Sequence, residues 1–128
     1  MKQLLMGLML LLTATAASAE WTVVNVDDES VGYVDRATIR RSGNFVKMWF
    51  LWDYKKAREI GGKSTLSGRN QYEYDCKEEK VRSLALTTFS GQMGNGTVNY
   101  TDSDTGKWSP VAPDSVGETV WKIACGKK

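Results

Sequence analysis

Residues 45–54, which read FVKMWFLWDY, restrict the fold more than any other stretch of this chain. One parity carries Val46, Met48, Phe50, Trp52 and Tyr54, and the other carries Phe45, Lys47, Trp49, Leu51 and Asp53. Successive side chains of a strand point to opposite faces, so a strand buried on one side alternates apolar with polar. Here both faces are apolar. The segment is therefore a central strand, with the face of Lys47 and Asp53 turned outward. Phe45, Trp49 and Leu51 on that outer face have two explanations. Either loops cover the strand, or the face serves a partner or self-association into a homodimer.

Turn chemistry and alternation place five more strands. Residues 21–26 are rich in β-branched types, and a short strand covers 32–35 after the polar break at 27–30. Residues 37–41 read as a helical turn or a connection, and 41–44 as a turn. Strands at 72–76, 81–89 and 97–101 complete a count of six, with short connections that favour antiparallel neighbours. Ser83 and Ala85 are small enough to let another element approach closely. Residues 102–106 form a turn, and Trp108 begins the exit from the sheet. Residues 55–69 read as a mobile loop rich in glycine and serine. It sets Lys55, Lys56, Arg58, Lys63 and Arg69 against Glu59 alone.

The C-terminal segment changes period. Ser115 and Glu118 have the spacing of a capping box, and Gly126 is placed to end the helix. At 100° per residue, Val116, Val120, Trp121, Ile123, Ala124 and Cys125 fill an arc of about 200°. Glu118 and Lys122 pair at i, i+4 on the other side. So wide an arc suits a helix lying across a curved sheet, and Gly117 inside it predicts close backbone contact.

Residues 1–19 carry a secretory signal pattern: Lys2, an apolar run over 4–12, and Ala17-Ser18-Ala19 before Glu20. The run is too short to span a bilayer. Residues 20–128 are then one exported domain, periplasmic or secreted, with Cys76 and Cys125 as one disulfide. Closing that loop is worth about 4 kcal/mol in the chain-entropy treatment. Glu20 stands where a lipoprotein would carry cysteine, so no membrane anchor is expected. The 17 basic and 15 acidic side chains nearly balance, which gives no reason to expect nucleic acid as a partner.

The chain has no histidine. That removes the usual general base and the commonest metal and haem ligand, so no cofactor is expected. Asp27, Asp28, Glu29, Asp102 and Asp104 could serve a carboxylate-dependent hydrolase, but they fall in turns where solvent keeps them ionised. Residues 102–106 begin like a calcium loop and lack its distal glutamate. A non-enzymatic binding module fits better than either. The basic cluster Lys55, Lys56, Arg58, Lys63 and Arg69, with Trp49, supplies the candidate binding residues. Anionic glycans or lipid head groups are their natural ligands. The alternative is a structural or accessory subunit of a periplasmic assembly.

At the level of ordered motifs the chain resembles the surface-adhesin protein E family of Gram-negative bacteria. The resemblance rests on the initial tryptophan strand, Tyr33-Val34-Asp35, Gly43 with the strand through Trp49, and Tyr74-Asp75-Cys76. It continues through Ser90-Gly91-Gln92-Met93-Gly94, Trp108, Pro113-Asp114-Ser115 and Ala124-Cys125-Gly126. It implies an α+β fold: a six-stranded antiparallel curved sheet with a C-terminal helix on its concave face, tethered by one disulfide. It also implies an adhesin that binds host extracellular matrix proteins and haem and is associated with dimers. The chain lacks the lipid-anchor cysteine and any histidine for haem, and no binding residue is carried over.

Overall fold

A computed structural model describes residues 19–128; the signal pattern expected over 1–19 lies outside the described residues except for Ala19. The strands are β1 (Thr22–Val26), β2 (Ser30–Ser42), β3 (Phe45–Ile60), β4 (Lys63–Asp75), β5 (Lys80–Phe89), β6 (Val98–Asp102) and β7 (Ser109–Pro110), followed by helix α1 (Val116–Cys125). Strands β1 to β6 pair in chain order, all antiparallel, and β7 pairs with β5. The two-residue β7 is an addition to the six strands expected. Its pairing beside Val81 and Lys80 brings the chain back from β6 toward the helix.

Two expectations about the middle of the chain are corrected. Residues 55–69 are not a loop: β3 runs to Ile60, β4 starts at Lys63, and the turn is Gly61-Gly62. Both glycines have positive φ, at 59° and 76°, the pair of left-handed positions a two-residue hairpin turn requires. Residues 37–41 belong to β2 as a bulged stretch of strand. The register between β2 and β3 shifts between Asp35 and Arg40. Side chains fill the interrupted ladder: Thr38 Oγ1 donates to the Asp35 carbonyl at 2.6 Å and accepts from the Trp49 N–H at 3.0 Å.

Helix α1 forms where its pattern places it. The Ser115 hydroxyl accepts from the Glu118 N–H at 3.1 Å, and Gly126 closes the helix at φ 66°. Only that half of the capping box forms, because the Glu118 carboxylate turns instead to Lys122 at 3.4 Å. Val120, Trp121, Ala124 and Cys125 are buried against Val34, Val46, Met48, Tyr74 and Cys76. Cys76 and Cys125 form the expected disulfide, which ties the end of α1 to the end of β4. The close contact expected at Gly117 is absent. The nearest atom to a side chain built there is Ser115 Oγ at 3.4 Å, because the residue faces an open groove.

On the outer face of β3 a covering turn accounts for Leu51, while Phe45 stays 42% exposed. Leu51 is 1% exposed beneath the turn after β5. Met93 and Gly94, both left-handed at φ 56° and 74°, aim successive N–H groups at the sheet. Met93 N–H reaches the Asp53 carboxylate at 2.9 Å and Gly94 N–H reaches Ser67 Oγ at 2.9 Å. The Arg69 guanidinium lies over Trp49 and Phe89, at 5.5 and 5.4 Å from the ring centroids. Phe45 packs on Trp108, which in turn carries Arg82 at 4.4 Å, itself bonded to Glu73. The Gly106 N–H donates to the Ser83 carbonyl at 2.8 Å, a backbone contact at the edge of β5.

Candidate binding face

A ten-residue helix is about 15 Å long, whereas the sixteen residues of β3 extend about 50 Å. Helix α1 crosses β1 to β4 and covers only the end of the inner face that carries Val46, Met48 and Tyr74. Beyond it the same parity of β3 continues as Phe50, Trp52 and Tyr54, joined by Tyr72 of β4. With Glu29, Ser30 and Arg58 these rings line an open trough of about 400 Å³. An apolar groove of about 250 Å³ adjoins it beneath the start of α1. Phe50 and Tyr72 line both, and Tyr74, Val81, Val116, Gly117 and Val120 complete the groove.

Two glycines set the pose of the rings. Trp52 pairs with Gly68 on β4 and with Gly32 on β2. A Cβ on Gly68 would stand 2.1 Å from Trp52 Cζ2, and one on Gly32 2.9 Å from Phe50 Cζ. The indole thus lies directly on the Gly68 backbone, and the tip of the Phe50 ring reaches Gly32. No hydrogen bond directs the indole, since Trp52 Nε1 is buried without a partner. Gly68→Ala should therefore displace Trp52 and destabilise the protein by about 2 kcal/mol. Urea unfolding, with near-ultraviolet circular dichroism as the reporter of the indole, checks this.

Charge at the far end of the trough is internally matched. Arg58 bonds Glu29 and lies 4.8 Å from the Tyr54 centroid. Asp28, Glu29, Lys55, Lys56 and Arg58 share one shallow cleft. Asp27 is held below the usual carboxylate range by the N–H groups of Ser30 and Glu29, with Lys55 adding to the effect. That direction keeps it ionised, the opposite of what a general acid needs. Asp102 lies on β6, at the other edge of the sheet from the turn holding Asp27–Glu29.

Burial pushes the Tyr72 and Tyr74 hydroxyls up, most strongly at Tyr74, where an ionised Tyr72 would repel a second charge. An unfolded tyrosine loses its proton near pH ~10 while Tyr74 in the fold keeps it, so the unfolded state binds fewer protons. Stability should be fully present below pH ~10 and fall as pH rises beyond it. Urea midpoints through that range should decline in the wild type and much less in Tyr74→Phe.

The structure divides the candidate residues read from the sequence into three places. Lys55, Lys56 and Arg58 stand on the extension of β3 opposite the acidic turn. Lys63 begins β4 and donates to the Asn99 carbonyl at 3.0 Å. Arg69 and Trp49 meet on the outer face. Phe50, Trp52 and Tyr54, on the face opposite Lys47 and Asp53, are not among those candidates, yet they line the trough. Gly32 and Gly68 were visible in the sequence, but their place beside Trp52 appears only with the register of the sheet.

The family model for surface-adhesin protein E matches residues 21–126. Among solved structures, crystal form II of Haemophilus influenzae protein E is similar, with a TM-score of 0.60 and 13% identity over 86% of this chain and 97% of that one. A second structure of Haemophilus influenzae protein E gives 0.61 and 13%, covering 80% and 88%. Protein E from non-typeable Haemophilus influenzae gives 0.58 and 11%, covering 86% and 79%. At these identities the likeness is one of fold. No curated protein matches this chain.

Proposed function

This chain belongs to the surface-adhesin protein E family, and from that premise we propose that it is an exported, non-enzymatic adhesin-like protein. Its ligands in this reading are proteins, host extracellular matrix proteins among them. The observation that carries the reading is the inner face beyond α1, where Phe50, Trp52, Tyr54 and Tyr72 line an open trough in place of a closed core. Aromatic side chains contribute large contact area at low conformational cost, which is why they dominate binding surfaces. We place the helix on the concave side of the curved sheet, so that the trough continues that concavity. Lys55, Lys56, Arg58 and Lys63 stand at the hairpin end of the sheet and form the polar rim of the site. Arg69 and Trp49 lie on the opposite face.

Export is supported by the family and by the signal pattern over residues 1–19, with cleavage placed after Ala19. Among the described residues no helix is long and apolar enough to cross a membrane. The non-enzymatic reading is supported by the turn acids: backbone donors lower the pKa of Asp27, the wrong direction for a general acid, and Glu29 is engaged by Arg58.

Solid-phase binding of the purified protein to immobilised matrix proteins tests the proposal. Saturable binding that Tyr54→Ala weakens is the expected result. Absence of saturable binding to every matrix protein tried would remove the host-matrix reading.

A further inference from the structure

We propose that the trough beyond α1 is a platform for a neutral oligosaccharide; the inference rests on reading that face as the binding surface and names the chemistry it recognises. A pyranose ring has a face rich in C–H groups and an edge ringed by hydroxyls. It is therefore matched by aromatic rings lying flat, with hydrogen-bonding groups at their margin. The trough has both parts. Trp52 lies on Gly68, where no Cβ intervenes, and Phe50 meets Gly32 with the tip of its ring. Tyr72 meets Phe50 edge-on at 6.4 Å, which fixes both rings before any ligand arrives. At the margin stand the Ser30 hydroxyl, the Glu29 carboxylate and the Arg58 guanidinium.

Charge decides against an ionic ligand. Arg58 and Glu29 bond each other, so no unpaired charge lines the trough itself, and Lys55, Lys56 and Lys63 stand outside its lining at the hairpin end. The polar margin decides against a purely apolar partner, which would leave the Ser30 hydroxyl and the ion pair desolvated without new hydrogen bonds. The volume, about 400 Å³, falls in the range of small-molecule sites. Beside it the apolar groove of about 250 Å³ offers a place for a methyl-bearing substituent such as an N-acetyl group.

Titration with neutral oligosaccharides, comprising chitooligosaccharides and oligomers of mannose and galactose, tests the platform. Tryptophan fluorescence and saturation-transfer NMR are the readouts. Saturable binding is expected, with Kd raised about tenfold by Trp52→Ala and by Tyr54→Ala. Trp108→Phe, on the outer face, leaves it unchanged. Tyr54→Ala guards against a folding defect in the tryptophan variant, and far-ultraviolet circular dichroism confirms the fold of each. No binding at millimolar sugar overturns the inference. So does binding that neither variant weakens, or binding confined to sulfated sugars.

A second arm separates this inference from the reading beneath it. Matrix-protein binding that survives enzymatic removal of the glycans overturns the platform and leaves the adhesin role standing. Oligosaccharide binding without matrix-protein binding does the reverse.

Discussion

Breaking Cys76–Cys125, by reduction or in the double variant Cys76→Ala/Cys125→Ala, should lower stability by about 4 kcal/mol, a large part of the ~5–15 kcal/mol that holds a domain of this size. The bond joins residues 49 apart in sequence, so its absence restores a long loop's worth of disorder to the unfolded chain. The native helix has other attachments, since Val120, Trp121 and Ala124 are each at most 5% exposed against the sheet. The folded state should therefore survive reduction with its sheet intact. Urea unfolding checks both halves: the midpoint should fall, and the slope should rise because an uncrosslinked unfolded chain exposes more surface. A shift below ~1 kcal/mol would mean that the unfolded chain is already compact without the bond.

The parts legible in the sequence are those fixed by local chemistry. Ser115, Gly126 and the apolar arc from Val116 to Cys125 place α1 because caps and period act within a few residues. The two apolar faces of Phe45–Tyr54 identify β3 as central for the same reason. The hairpin arms at 55–69 were illegible because lysine, serine and glycine have low strand propensity. Pairing across the ladder, with Arg58 opposite Thr65 and Ile60 opposite Lys63, overrides that preference. The bulge after Asp35 was hidden likewise, since it depends on Thr38 meeting the Trp49 N–H from another strand. The candidate face was least legible. Whether Phe50, Trp52 and Tyr54 are core or surface depends on how far α1 reaches along β3. That is a matter of relative length and placement, not of pattern.

Trp121→Ala should be the most damaging single substitution in the helix, costing about 4 kcal/mol. The indole is 5% exposed within the core cluster, so truncation removes buried apolar area and leaves a cavity. Its Nε1–H also donates to the Asp75 carbonyl at 2.9 Å, one residue before Cys76. Trp121→Phe separates the two losses: most apolar contact remains while the carbonyl loses its partner, for about 1–2 kcal/mol. The hydrogen bond and the disulfide fasten the same end of α1 to the same end of β4, so their effects should not add. Without the disulfide, a ten-residue helix is too short to persist unless packed, and Trp121 supplies most of that packing. In the reduced protein Trp121→Ala should release α1 locally while β1 to β6 remain paired. Hydrogen exchange would show protection lost from residues 116–125 before the strands. If exchange in the helix and the sheet instead rises together, the helix is an integral part of one cooperative unit and the tether is secondary.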